Sequence, residues 1–171
     1  MTKPLDYIYS QERLNLGSST LAEKEKNDCA VKAIAAAAGV SYEISHAFTG
    51  EYLMRTRRMG TLLGMFLPNI TKEPMMLGSK RVEFKSLDNI KITNGYKLYG
   101  EVVRRKKTVK SFIKDNPRGS FVVSVAEHAF AIVDGVLIDN VGEEFRMTRK
   151  VLSAIQVKAE DLSKPSQLTL F

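Results

Sequence analysis

Residues 27–39 read Asn-Asp-Cys-Ala-Val-Lys-Ala-Ile-Ala-Ala-Ala-Ala-Gly, an apolar run of strong helix formers between cap-type residues and a glycine. The pattern predicts a helix over about 29–38. Ser41 is placed to cap a second helix through 41–48, and a third helical segment is expected over 61–67, stopping at Pro68. Residues 69–100 lean towards strand, with alternation in Arg81-Val82-Glu83-Phe84 and in Tyr96-Lys97-Leu98-Tyr99. Thr108 is expected to cap a short helix through Lys114, closed by Asn116, Pro117 and Gly119. Strands then follow at 120–126, 128–133 and 136–140, with a turn of helix at 148–152 and a last strand at 153–157. Helices followed by an antiparallel sheet define an α+β class, with the N-terminal helices packed on the sheet. Residues 1–26 read as weakly structured, 27–160 as one domain, and 161–171 as a mobile tail containing Ser163, Pro165 and Ser166.

Asp134-Gly135 is a strong two-residue hairpin signal. With that loop Val133 pairs with Val136, so His128 faces position 141 and Phe130 faces Asp139. Side chains two apart share a face of a strand, which sets Asp139 on the face of His128, one diagonal step away. Asn140 points to the other face.

These positions change the meaning of Cys29, the single cysteine of the chain. It falls in the first turn of the first predicted helix, where the helix dipole favours negative charge. A cysteine on a helix N-terminus, with a histidine and a carboxylate from a later sheet, is the layout of a papain-like nucleophile site. In that layout Cys29 attacks a carbonyl, His128 moves the proton and Asp139 orients the imidazole. The backbone N–H of Cys29 supplies one oxyanion donor. His46, beside Ile44, Ala47 and Phe48, is expected to pack within the second helix. One cysteine and two histidines give no ligand pair at metal-binding spacing, so neither a metal nor another cofactor is expected.

Composition narrows the picture further. The chain has 171 residues, 44% of them apolar and 26% charged, which suits one globular domain with a core. A lone cysteine makes no internal disulfide, so the fold is independent of an oxidising compartment. No stretch approaches the ~20 apolar residues that cross a bilayer, and residues 1–10 carry no apolar signal region. A cytoplasmic location with no membrane partner is the expectation. The net charge is +7. Much of it sits in Arg55, Arg57 and Arg58 and in Arg104, Arg105, Lys106 and Lys107, which read as a solvated basic face or a weak phosphate-binding surface.

The blocks Asn27-Asp28-Cys29-Ala30-Val31-Lys32-Ala33-Ile34 and His128-Ala129-Phe130-Ala131-Ile132-Val133-Asp134-Gly135 resemble a group of small phage-encoded papain-like proteins. That group is itself similar to the leader peptidases of bacteriocin exporters, in which Asp-Cys opens the helix and an Asp follows the His strand. The resemblance spans about 27–157. It implies a papain-like fold, thiol-dependent hydrolysis of a peptide or isopeptide bond in a host bacterial cytoplasm, and Cys29, His128 and Asp139 as the triad. The peptidase family carries an oxyanion-donating glutamine about six residues before its cysteine, where this chain has Glu23. Asn27 and Gln11 are the other candidate donors.

The segment Gln167-Leu168-Thr169-Leu170-Phe171 looks like the bacterial sliding-clamp-binding peptide, in which Gln167, Leu168, Leu170 and Phe171 are the contacting residues. Three readings stand side by side: a cysteine peptidase, an inactive papain-like module docking on a sliding clamp, and a basic protein associated with nucleic acid or a virion.

Overall fold

The computed structural model describes residues 8–10, 19–56, 60–61, 63–87, 96–98, 101–103, 106–139 and 147–163. Its helices are α1 (Thr20–Lys24), α2 (Cys29–Ala38), α3 (Tyr42–Tyr52), α4 (Leu63–Ile70) and α5 (Val109–Asp115). Its strands are β1 (Ile8–Ser10), β2 (Met75–Leu77), β3 (Lys80–Ser86), β4 (Tyr96–Leu98), β5 (Glu101–Val103), β6 (Ser120–Val125), β7 (His128–Val133), β8 (Val136–Ile138) and β9 (Ser153–Asp161). The class is α+β. A seven-stranded sheet has the order β1-β8-β7-β6-β9-β3-β2, antiparallel except where β1 runs parallel to β8, and β4 and β5 form a separate pair.

Strand periodicity divides the core into two layers. Val122, Ala129, Ala131, Ile138, Ile155 and Val157 face α2, where they meet Ala30, Ala33, Ile34, Ala37 and Ala38. Their neighbours in sequence, Phe121, Val123, Phe130, Ile132, Leu137 and Ala154, face α5 through Val109 and Phe112. Both faces are covered, so β6 and β7 read as near-continuous apolar runs. Alanines on both sides of the α2–β7 contact let the helix approach that strand closely.

Helix ends follow the sequence signals. Ser41 Oγ accepts from the Ile44 N–H and Thr108 Oγ1 from the Ser111 N–H. α2 stops at Gly39, whose φ of 63° is left-handed. Lys80 Nζ from β3 donates to the carbonyls of Ala38 (3.2 Å) and Gly39 (2.7 Å), placing a cation at the negative end of the helix.

Three sequence expectations are corrected. Pro68 lies inside α4 rather than ending it. It forfeits one donor in an eight-residue helix, and the Thr71 N–H still reaches Leu67 O at 3.2 Å. The segment 148–152 is not helical. Val109 donates to Arg149 O and Val151 to Lys107 O, so it runs extended against the start of α5. β9 continues to Asp161, four residues beyond the expected end, because β3 pairs with it along its length. Strand β1 carries no local signal strong enough to have been expected, whereas α1, within the stretch read as weakly structured, opens on a Ser19 cap whose Oγ accepts from the Ala22 N–H. Among the described residues no helix is long and apolar enough to cross a membrane.

Candidate active site

The β7–β8 hairpin sets the geometry. Asp134 (φ 48°) and Gly135 (φ 77°) both adopt left-handed backbone, the requirement of a tight two-residue turn on twisted strands. The Asp134 carboxylate accepts from the Gly119 N–H, and the Asp134 N–H donates to Gly119 O at 2.8 Å, which ties the turn to the start of β6. Val133 pairs with Val136 and Ala131 with Ile138, the register expected from the loop. His128 therefore opens β7 at the end of the sheet where β8 gives way to Asp139. His128 Nε2 and Asp139 Oδ2 stand 2.6 Å apart. Asp139 is only 3% exposed, and the Phe130 ring lies beside the imidazole.

Cys29, half-buried, is the first residue of α2 and is hydrogen-bonded to His128. Asp139 occupies Nε2, which leaves Nδ1 to face the thiol. Burial works against the charged imidazole. The hydrogen bonds to Asp139 and Cys29, and then the negative charges of both, outweigh it and push His128 up to about 9. The histidine is thus held as a cation at neutral pH between a carboxylate and a sulfur.

A buried polar cluster adjoins the start of α2. Asp28 occupies the cap position of α2, but its side chain makes no capping hydrogen bond and its backbone (φ −103°, ψ 19°) is not extended. The carboxylate instead accepts from Tyr42 Oη at 2.8 Å and pairs with Lys32 Nζ at 3.0 Å. Burial first, and the adjoining Asp28 second, raise the Tyr42 phenol well above its usual range, so it remains a donor. Lys32 donates the first intrahelical bond, to Asp28 O. The N–H groups before it, at Cys29, Ala30 and Val31, have no acceptor within the helix. Asn27 precedes them exposed and left-handed (φ 55°). Glu23 is exposed on α1, and Gln11 lies outside the described residues.

Sequence reasoning missed a buried cluster just upstream. Arg55 does not join a basic face: it is 7% exposed, and its Nη2 donates to Glu25 Oε2 at 2.8 Å. Its partner stands thirty residues away, at a distance no charge count along the chain detects. Arg55 Nη1 lies 3.0 Å from His46 Nε2. The same nitrogen stands 3.5 Å from Glu25 Oε1. His46 thus belongs to a polar cluster rather than to apolar packing. Arg57, Arg58, Arg104 and Arg105, and the peptide Gln167, Leu168, Leu170 and Phe171, lie outside the described residues. Among those described, no group of three or more His, Cys, Asp or Glu stands together as a metal site. No family model, curated protein or solved structure matches the chain.

Proposed function

We propose that this chain is a papain-like thiol hydrolase that cleaves a peptide or isopeptide bond. The observation that carries the reading is His128, bound through Nε2 to buried Asp139 and hydrogen-bonded to a cysteine at a helix N-terminus. The Cys29 thiolate adds to the scissile carbonyl carbon, and the resulting oxyanion faces the N-terminal amides of α2. As the intermediate collapses, the C–N bond breaks and the imidazolium passes its proton to the leaving amine. His128 then takes a proton from water, whose oxygen attacks the thioester, and returns that proton to the sulfur as the acid leaves. Asp139 holds the ring and stabilises the cation throughout.

The test is labelling of the intact chain with iodoacetamide and with a peptidyl vinyl sulfone at pH 7, followed by mass spectrometry. Cys29 is expected to react much faster than free cysteine, and His128→Ala to remove the advantage. Equal rates for Cys29 and free cysteine overturn the reading.

Glu23 favours a second reading. A carboxylate there supplies no oxyanion donor, and loss of one donor costs roughly 10²–10³ in rate. The alternative is a non-catalytic papain-like module that docks on a bacterial sliding clamp through residues 167–171. Deleting those five residues is then expected to abolish clamp capture, and unchanged capture excludes it.

A further inference from the structure

Most of the net charge of this chain comes from two short segments that the fold brings together. Residues 106–115 and 147–152 hold six cations and one carboxylate, a net +5, whereas the whole chain carries +7. The segments lie side by side. The Val109 N–H donates to Arg149 O at 3.0 Å, the Lys110 N–H to Met147 O at 3.1 Å, and the Val151 N–H to Lys107 O at 2.9 Å. Helix α5 rests on the sheet through buried Val109 and Phe112, which turns Lys110 and Lys114, one helical turn apart, to solvent. Lys106, Arg149 and Lys150 are exposed beside them. Lys107 is partly buried and pairs at 2.6 Å with Asp115, the one acid of the two segments. Five exposed cations thus share the α5 face, on the side of the sheet opposite α2 and Cys29. Arg104 and Arg105, and Glu143, Glu144 and Arg146, lie outside the described residues.

The chemistry of this face selects its partner. Like charges gathered on one surface repel, and a polyanion relieves them. Four of the five are lysines, compact point charges that suit single phosphates better than the bidentate reading of a base edge. No aromatic side chain is exposed in either segment, so unpaired bases find no platform to stack on. Leu152 is the one exposed large apolar side chain there, too little for the apolar face that anchors a peripheral protein in lipid. We propose that the α5 face binds the phosphate backbone of a nucleic-acid double helix without regard to base sequence. The thiol site lies on the other side of the sheet, so this binding is independent of the hydrolase reading.

The experiment titrates the full chain into short fluorescent duplexes, two DNA sequences of equal length and an RNA copy of one, from about 50 to 200 mM salt. Binding to either kind of duplex supports the proposal, and the tighter one names the source. On DNA the slope of log affinity against log salt is expected to reach about −4.5 when all five exposed cations are engaged, each phosphate contributing about 0.9. Lys114→Gln/Lys150→Gln, which takes one cation from each segment, is expected to weaken binding and to flatten the slope by about 1.8. Lys24→Gln/Lys72→Gln removes the same charge from exposed positions at the end of α1 and just after α4, and is expected to leave the slope unchanged. Equal losses in the two double variants would show that net charge alone matters and would overturn the proposal. A flat salt response, a strong preference for one DNA sequence, or binding only to phosphatidylserine vesicles or to polyglutamate overturns it as well.

Discussion

His128 Nε2 lies 2.6 Å from Asp139 Oδ2, although the β7–β8 register, which pairs Ala131 with Ile138, brings Phe130 rather than His128 level with Asp139. The contact spans a diagonal of the hairpin, at a strand end where both side chains clear the last paired residues. Nε2 is committed to the carboxylate, so Nδ1 is the nitrogen that serves the sulfur. Asp139→Asn keeps the shape and removes the charge. The His128 ring, followed by NMR, is expected to titrate near 9 in the wild-type chain and well below that in the variant, towards the ordinary histidine value of 6.5. Under the hydrolase proposal, acyl transfer at neutral pH is expected to fall roughly 10²-fold or more. An unmoved ring titration would remove Asp139 from the site.

The raised value of His128 has a signed consequence for stability. The folded state holds its proton up to about 9, whereas the unfolded chain releases it near 6.5. Between those limits the folded state binds more protons, so this contribution is complete below about 6.5 and is lost as pH rises through 9. Urea midpoints at pH 6 and pH 9.5 are expected to differ more for the wild-type chain than for His128→Asn. With Cys29→Ser the difference is expected to shrink but persist, because Asp139 remains. Equal pH dependence in wild type and His128→Asn would contradict the assignment.

The hairpin and the His128–Asp139 contact were legible because both depend on local rules. Asp134-Gly135 determines the turn, the turn sets the register, and parity then selects Asp139 over Asn140. Cap chemistry located α2, α3 and α5 for the same reason, with Ser41 and Thr108 supplying the first acceptors. What stayed hidden is long-range. Nothing near Ile8 announces a parallel partner at Val136, and nothing near Arg55 announces Glu25. Charge patterning counted Arg55 with Arg57 and Arg58 because it registers sign and spacing but not burial. The extended path of 148–152 likewise depends on Lys107 and Thr108, forty residues upstream, and Asp28 looked like an ordinary cap because its true partner, Tyr42, lies on another helix.

The Glu25–Arg55 pair gives a prediction with two arms. Both side chains are 1% exposed, so removing one partner leaves a buried charge without its counter-ion. Arg55→Met or Glu25→Gln alone is expected to cost about 3–5 kcal/mol, whereas the double variant Glu25→Leu/Arg55→Met is expected to recover much of that loss. Chemical denaturation reads all three. Arg55→Met measured below its unfolding range is also expected to leave any affinity for DNA unchanged at all salt concentrations, since a buried guanidinium contacts no phosphate. A drop in DNA affinity would return Arg55 to the surface.

Gly135 connects the turn to the His128–Asp139 contact through backbone conformation alone. A Cβ there would meet nothing closer than Pro117 O at 3.5 Å, an ordinary contact, so space is not the obstacle. The obstacle is φ, which at 77° is strongly disfavoured for a β-branched residue. Gly135→Val is expected to cost about 1–2 kcal/mol of strain and to loosen the turn that sets the register. A one-residue slip would send Asp139 to the opposite face of β8 and separate it from His128. The variant is therefore expected to lose Cys29 reactivity and the high His128 titration together, while Gly135→Asn, which tolerates the left-handed region, keeps both. Loss of stability in Gly135→Val with an unchanged His128 titration would show that the hairpin register does not depend on this turn.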